Sequence, residues 1–160
     1  MRHIISILVD NEPGVLARVS GLFTARGFNI ESLCVAETEN PSHSRLTLVT
    51  SGEDWIIDQI IKRFENMINV IKVVDLTESE SIQRELLIAR VIPTKTSRSE
   101  VLRVADIFRS NVIDVGPKSY TLELTGTKDK LEGFVEILRP LGLKEVTRTG
   151  LVSVAREKKK

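Results

Sequence analysis

Few residues in this chain are equipped for chemistry. The two histidines, His3 and His43, lie far apart, and no third ligand follows either at metal-binding spacing. The single cysteine, Cys34, sits inside an apolar stretch, where a free thiol behaves as a small buried hydrophobe. No nucleophile elbow, dinucleotide fingerprint or phosphate-binding loop is present. Asp10 and Glu12 are neighbouring carboxylates, but in a turn that opens a helix they serve to complement the helix dipole. That turn, "DNEPG", is the remaining candidate. The first turn of a helix carries free N–H groups at the positive end of its dipole, which suits a carboxylate. Asn11 can cap the helix or offer its amide to a ligand. Pro13 suits a first turn because it lacks an N–H. Gly14 leaves the backbone unfenced, and Val15 and Leu16 supply an apolar wall. A small apolar amino acid matches this set. So does an ordinary capped turn with nothing bound, and the spacing alone does not choose.

The elements that must position this turn follow from periodicity. Ile4 to Val9 is an apolar, β-branched run of strand length. Val15, Leu16, Val19, Leu22 and Phe23 recur at helical spacing, and Gly27 ends that helix. "FNIESLCVAETE" is an extended strand, "NPSHS" a turn and "RLTLVTS" an alternating strand. Ile56, Ile57, Ile60, Ile61 and Phe64 form a second helical stripe before the strand "INVIKVVDL". The order is βαββαβ. A second copy follows: "RELLIARVIP", a stripe of Val101, Leu102, Ala105 and Phe108, the strands "NVIDVG" and "SYTLELTG", a stripe of Leu131, Phe134, Val135 and Leu138, and a last strand or hairpin in "LKEVTRTGLVSVAR".

The copies align. Val15, Leu16, Val19 and Leu22 map at one constant offset onto Val101, Leu102, Ala105 and Phe108. Leu48, Gly52, Ile57, Ile60, Ile61 and Phe64 map at a shorter one onto Leu122, Gly126, Leu131, Phe134, Val135 and Leu138. A duplicated module with a longer middle hairpin in its first copy accounts for both. The expected fold is α+β, two tandem ferredoxin-like βαββαβ units. The expected boundaries are residues 1–76 and 84–155, with a polar linker at 77–83 and a basic tail at 156–160 that is solvated and disordered. Each unit bares one sheet face, so pairing of units or of chains is expected.

Bulk composition narrows the partners. The 160 residues carry 23 Lys+Arg against 22 Asp+Glu, a net charge of +1, which gives no long-range attraction for nucleic acid. Aromatic residues are 4% of the chain, and none stands on "IISILVD" or "SRLTLVTS", so the base-stacking use of βαββαβ is excluded. One cysteine permits no intrachain disulfide and points to a reducing compartment. No apolar run approaches the roughly 20 residues that span a bilayer, and "MRHIISILVD" is too short in its apolar part for a signal peptide. A cytoplasmic location without membrane contact is expected.

The stretch "ISILVDNEPGVLARVSGLFTARGFNIESLCVAETENPSHSRLTLVT" resembles the ACT domain of the small regulatory subunit of acetohydroxyacid (acetolactate) synthase. "RELLIARV", "FRSNVIDVGPKSYTLELTGTKDKLEGFVEILRPLG" and "VTRTGLVSVAR" resemble that subunit's C-terminal domain, so the likeness covers nearly the whole chain. The resemblance implies a protein without catalysis of its own. Such a subunit binds the large catalytic subunit, raises its activity and confers feedback inhibition by valine or related branched-chain amino acids. No cofactor is implied in this chain; thiamine diphosphate, a divalent metal and FAD belong to the catalytic subunit. ACT domains of the family pair side by side, as a homodimer or higher assembly, with the effector between the strand–helix turn of one chain and the second strand of its neighbour. Carried onto this sequence, that gives Asn11, Gly14, Val15 and Leu16 on one side and Asn29, Ile30 and Val35 on the other. Pro13 stands where the family often has a small non-proline residue, a change that stiffens the turn. The competing reading is a free-standing tandem-ACT amino-acid sensor acting on transcription.

Overall fold

The fold is that of a computed structural model in which residues 1–157 are described. Lys158 to Lys160, the end of the basic tail, lie outside the described residues. The chain divides into two compact units, Met1–Ile82 with the segment from Leu151 onward, and Gln83–Gly150.

The first unit runs β1 (Arg2–Asp10), α1 (Val15–Thr24), β2 (Ile30–Glu37), β3 (His43–Ser51), α2 (Asp54–Glu65) and β4 (Val70–Asp75). Its sheet has the order β2-β3-β1-β4, with every neighbouring pair antiparallel. This is the ferredoxin-like arrangement. Strand alternation decides the faces: Ile5 pairs with Leu48 and Ile7 with Leu46, and all four point at the helices. Val15, Val19 and Phe23 of α1 and Ile57, Ile60 and Phe64 of α2 close that core. The rings of Phe23 and Phe64 tilt against each other at 5.7 Å between centroids. Burying each such side chain stabilises by about 1.5–3 kcal/mol. α1 ends as its glycine predicts: Gly27 takes a φ of 72° and its N–H donates to Thr24 O at 3.1 Å.

The other sheet face is not bare throughout. Leu151, from the far end of the chain, is buried with Ile4, Val49 and Leu76, and Val74 packs against them. The Leu151 N–H donates to Ser32 Oγ on β2 at 2.9 Å. Cys34, expected to be buried on β2, is only half-buried, because β2 is an outer strand.

The second unit repeats the plan with β5 (Ser81–Val91), α3 (Arg98–Phe108), β6 (Asn111–Val115), β7 (Tyr120–Gly126), α4 (Lys128–Leu138) and β8 (Leu143–Arg148), in the order β6-β7-β5-β8. β5 begins at Ser81, inside the stretch whose polarity reads as linker. "LKEVTRTGLVSVAR" forms two strands, β8, which pairs with β5, and β9 (Val152–Ala155), which belongs to the first unit. The aligned positions behave alike. Val15 and Val101, Val19 and Ala105, Leu48 and Leu122, Ile57 and Leu131, Ile60 and Phe134, and Phe64 and Leu138 are all buried. Leu16 and Leu102 are both exposed, at 42% and 39%. Glu85 of β5, 7% exposed, receives a two-pronged contact from Arg148 of β8, Nε to Oε1 at 2.6 Å and Nη2 to Oε2 at 2.7 Å. The hydrogen bond to Glu85 raises the Arg148 pKa above its ordinary value, against the opposing effect of burial.

Candidate functional site

The turn before α1 is built differently from its expected form. The helix begins at Val15, and Gly14 is its N-cap, with φ 85° and ψ −10°. That left-handed conformation is open to glycine and strained for other residues. A Cβ at Gly14 meets nothing within 4 Å, so conformation and not crowding demands the glycine. Pro13 therefore precedes the helix and does not occupy its first turn. Asn11 does not cap the helix, because no side chain does. Its Nδ2 donates instead to Glu37 Oε1 and to Pro41 O, both at 3.0 Å, and its backbone N–H donates to Ser42 O at 2.8 Å. Asn11 thus ties the turn to the β2–β3 hairpin. Its Oδ1 takes no hydrogen bond among the described residues.

The carboxylates also depart from expectation. No acid lies in the first turn of α1, whereas α2, α3 and α4 carry Asp54, Glu100 and Asp129 there. Glu12 accepts from Asn69 Nδ2 at 3.0 Å, and Arg18 Nη1 donates to Asn69 Oδ1 at 2.8 Å. The Asp10 N–H donates to Asn69 O at 2.9 Å. Asn69, 8% exposed, is therefore the staple that sets the turn. Sequence reasoning missed it, although a lone amide before an apolar strand was a visible signal. Val15 N–H reaches Glu12 O at 3.4 Å and Arg18 N–H reaches Gly14 O at 3.1 Å. No hydrogen bond among the described residues takes the N–H groups of Leu16 and Ala17. They remain as donors beneath an uncompensated dipole.

The predicted residues form two separate groups. Asn11, Gly14, Val15 and Leu16 gather at the start of α1, although the Val15 side chain is 2% exposed and committed to the core. Asn29 and Ile30 stand at the opposite end of β2. Asn11 grips Glu37, the last residue of β2, while Ile30 is its first. Seven strand steps place them about 23 Å apart. Asn29 O accepts the Thr50 hydroxyl at 2.7 Å, its side chain is exposed, and Ile30 leans on the core. Val35 is 42% exposed on the same outer strand. Glu31, beside Asn29, accepts from Arg2 Nε at 3.3 Å and contacts the Ser51 hydroxyl. Among the described residues, no three His, Cys, Asp or Glu side chains come close enough together to hold a metal ion, and no helix is long and apolar enough to cross a membrane.

Residues 5–72 match the family model described as an AHAS small subunit-like ACT domain, and residues 84–157 that of the small subunit of acetolactate synthase. The chain is 46% identical over its full length to the probable acetolactate synthase small subunit of Archaeoglobus fulgidus, covering 100% of both. It is 48% identical to the acetolactate synthase small subunit of Haemophilus influenzae, covering 99% of this chain and 98% of that one. Among solved structures, the acetolactate synthase small subunit of Thermotoga maritima superposes with a TM-score of 0.89 at 36% identity, covering 99% of each chain. With both halves matched in order and over their whole length, the chain belongs to the family of acetolactate synthase small subunits.

Proposed function

We propose that this chain is the regulatory subunit that binds the large catalytic subunit of acetolactate synthase, raises its activity and confers feedback inhibition by valine or a related branched-chain amino acid. Thiamine diphosphate, a divalent metal and FAD then belong to the catalytic partner, which carries out the reaction. The observation that carries the effector reading is the start of α1. A left-handed glycine, two unpaired N–H groups and no acid in the first turn favour a carboxylate. The free Oδ1 of Asn11 can accept from an ammonium group, and the exposed Leu16 can cover an aliphatic side chain.

The separation along β2 supports a site shared by two chains. β2 is an outer strand, so its free edge can pair with β2 of a second copy. An antiparallel, two-fold pairing sets the Glu37 end of one strand beside the Ile30 end of the other. Asn11, Gly14 and Leu16 of one copy, with Val35 near the Glu37 end of its own β2, then meet Asn29 and Ile30 of the next, twice per dimer. Bound valine favours the arrangement of the pair that it fits better, and shifts it only by its difference in affinity.

The test is reconstitution with the catalytic subunit and a valine titration. Gly14→Asp places a side chain and a negative charge where the carboxylate is to lie. The variant is expected to activate normally and to lose inhibition. Full valine sensitivity in that variant would place the effector elsewhere.

A further inference from the structure

At the other end of β1 from the candidate effector turn lies a second feature, outside the residues assigned to that site. A cavity of about 500 Å³ is lined by Met1, His3, Asp54, Asp58, Asp75 and Glu78, with Thr77 and Ser79. Its volume falls in the range of small-molecule sites. His3 lines it and is 3% exposed, yet neither ring nitrogen has a hydrogen-bond partner. Nε2 comes within 3.2 Å of Asp54 Oδ1, but out of alignment for a hydrogen bond. A buried polar ring left this way is costly, and native proteins seldom keep one without a use.

The fold itself does not require these groups, because the second unit is a control. His3 pairs with Thr50 in the register of β1 and β3. The corresponding pair in β5 and β7 is Leu87 and Leu124, and Leu87 is fully buried. Asp54 corresponds to Lys128, and Asp75, opposite Ile5, to Val146, opposite Ala89. A leucine, a lysine and a valine thus satisfy the same positions of the same plan.

Chemistry selects the ligand class. Four carboxylates surround the cavity. Among the described residues that line it, the one fixed cation is the Met1 ammonium, which donates to Gly52 O at 2.8 Å. The amide of Thr77 holds Asp75 Oδ1 at 2.8 Å. The carboxylates are spread along α2 and the end of β4, and among the described residues no three groups converge as a metal ion needs. Separated acceptors around an imidazole suit a ligand with several N–H donors. We propose that the His3 cavity binds an organic cation, an alkylammonium or guanidinium group, with His3 accepting a hydrogen bond at its floor and Asp54, Asp58 and Glu78 neutralising its charge. The group arrives either as a free small molecule or as a Lys or Arg side chain of a protein partner. Thr77 to Ser79 form one wall, so an occupant touches the segment that follows β4.

The test is NMR of the imidazole nitrogens in the full chain, titrated with 1,4-diaminobutane and with arginine amide. Sodium chloride at matched ionic strength and magnesium chloride are the controls. The expected result is a saturable shift of the His3 signals with both organic cations, about tenfold weaker in Asp58→Asn through loss of one charge-assisted contact. His3→Leu copies the second unit, is expected to fold, and abolishes saturable binding as read by calorimetry. If purified catalytic subunit shifts the His3 signals and displaces 1,4-diaminobutane, the occupant is a partner side chain; if it leaves them unmoved, the occupant is a free molecule. Shifts no larger than those in sodium chloride would mean that the cavity holds water alone, and a response to magnesium as strong as to the amines would make it a metal site. Either result overturns the proposal.

Discussion

The starts of α1 and α3 are the same point in a duplicated plan, and they are built in opposite ways. Before α3 the chain closes on itself through hydroxyls. Thr94 N–H donates to Ser97 Oγ at 2.9 Å, Ser97 N–H reaches Thr94 O at 3.2 Å, and Thr94 and Thr96 share a hydroxyl contact at 3.0 Å. Glu100 then complements the dipole from within the first turn. Before α1 the chain takes a left-handed step at Gly14, its acid is drawn aside by Asn69, and the dipole has no charge of its own to meet. One turn is complete. The other leaves the N–H groups of Leu16 and Ala17 without a hydrogen bond among the described residues. The buried polar groups teach the same lesson. Glu85 in the second unit is fully matched by Arg148, while His3 in the first has no hydrogen bond.

This contrast can be broken experimentally, beginning with the largest effect. Arg148→Met strands the Glu85 carboxylate and is expected to cost about 2–3 kcal/mol in denaturant unfolding. In the intact pair, the raised Arg148 pKa means that its contribution is present below the unfolded value and is lost only above it. Arginine titrates far above neutrality, so its share of the stability stays constant through the neutral range, and a slope there would have to come from other groups. His3→Leu is expected to go the other way, leaving stability unchanged or higher, because an unsatisfied polar group is replaced by an apolar one.

Gly14→Ala adds no clash but imposes a left-handed residue, at a cost of roughly 1–2 kcal/mol. A melt with unchanged midpoint would mean that the turn relaxes without strain. Ser97→Ala in the second unit removes the hydroxyl that closes its turn and should cost about 1 kcal/mol, with no effect on valine response in the reconstituted enzyme. A lost response would show that the second turn is not the self-sufficient one. Asn11→Ala is expected to cost less again than Ser97→Ala, about 0.5–1 kcal/mol, since its two bonds are exposed. Its valine response should nonetheless weaken, and an unaltered inhibition curve would restrict Asn11 to tying the hairpin.

Much of the fold was legible because it rests on periodicity. The stripes of Val15, Val19 and Phe23 and of Ile57, Ile60 and Phe64 are buried where their spacing places them. The aligned apolar residues of the two copies share their burial, down to the exposed Leu16 and Leu102. The return of Leu151 to the first unit was not legible, because one leucine just before a short strand carries no sign of a partner at Ser32. The site was legible only in its residue types. "DNEPG" shows a turn with an asparagine and a glycine, but the roles of these residues depend on neighbours distant in the chain. Asn11 turned to Glu37 and Pro41 because the hairpin end lies beside it. Glu12 turned to Asn69 because β4 returns next to β1.

The sequence by itself determined a duplicated βαββαβ chain, its two apolar cores and its family, since these depend on local spacing and on runs of residues read in order. Only the tertiary structure decided that Gly14 is held at positive φ, that β2 is an outer strand, that the two halves of the candidate effector site stand at its opposite ends, and that His3 is buried among carboxylates. Those facts come from which strand pairs with which. Strand pairing joins residues by hydrogen bonds across the sheet, and a sequence pattern reports only along it.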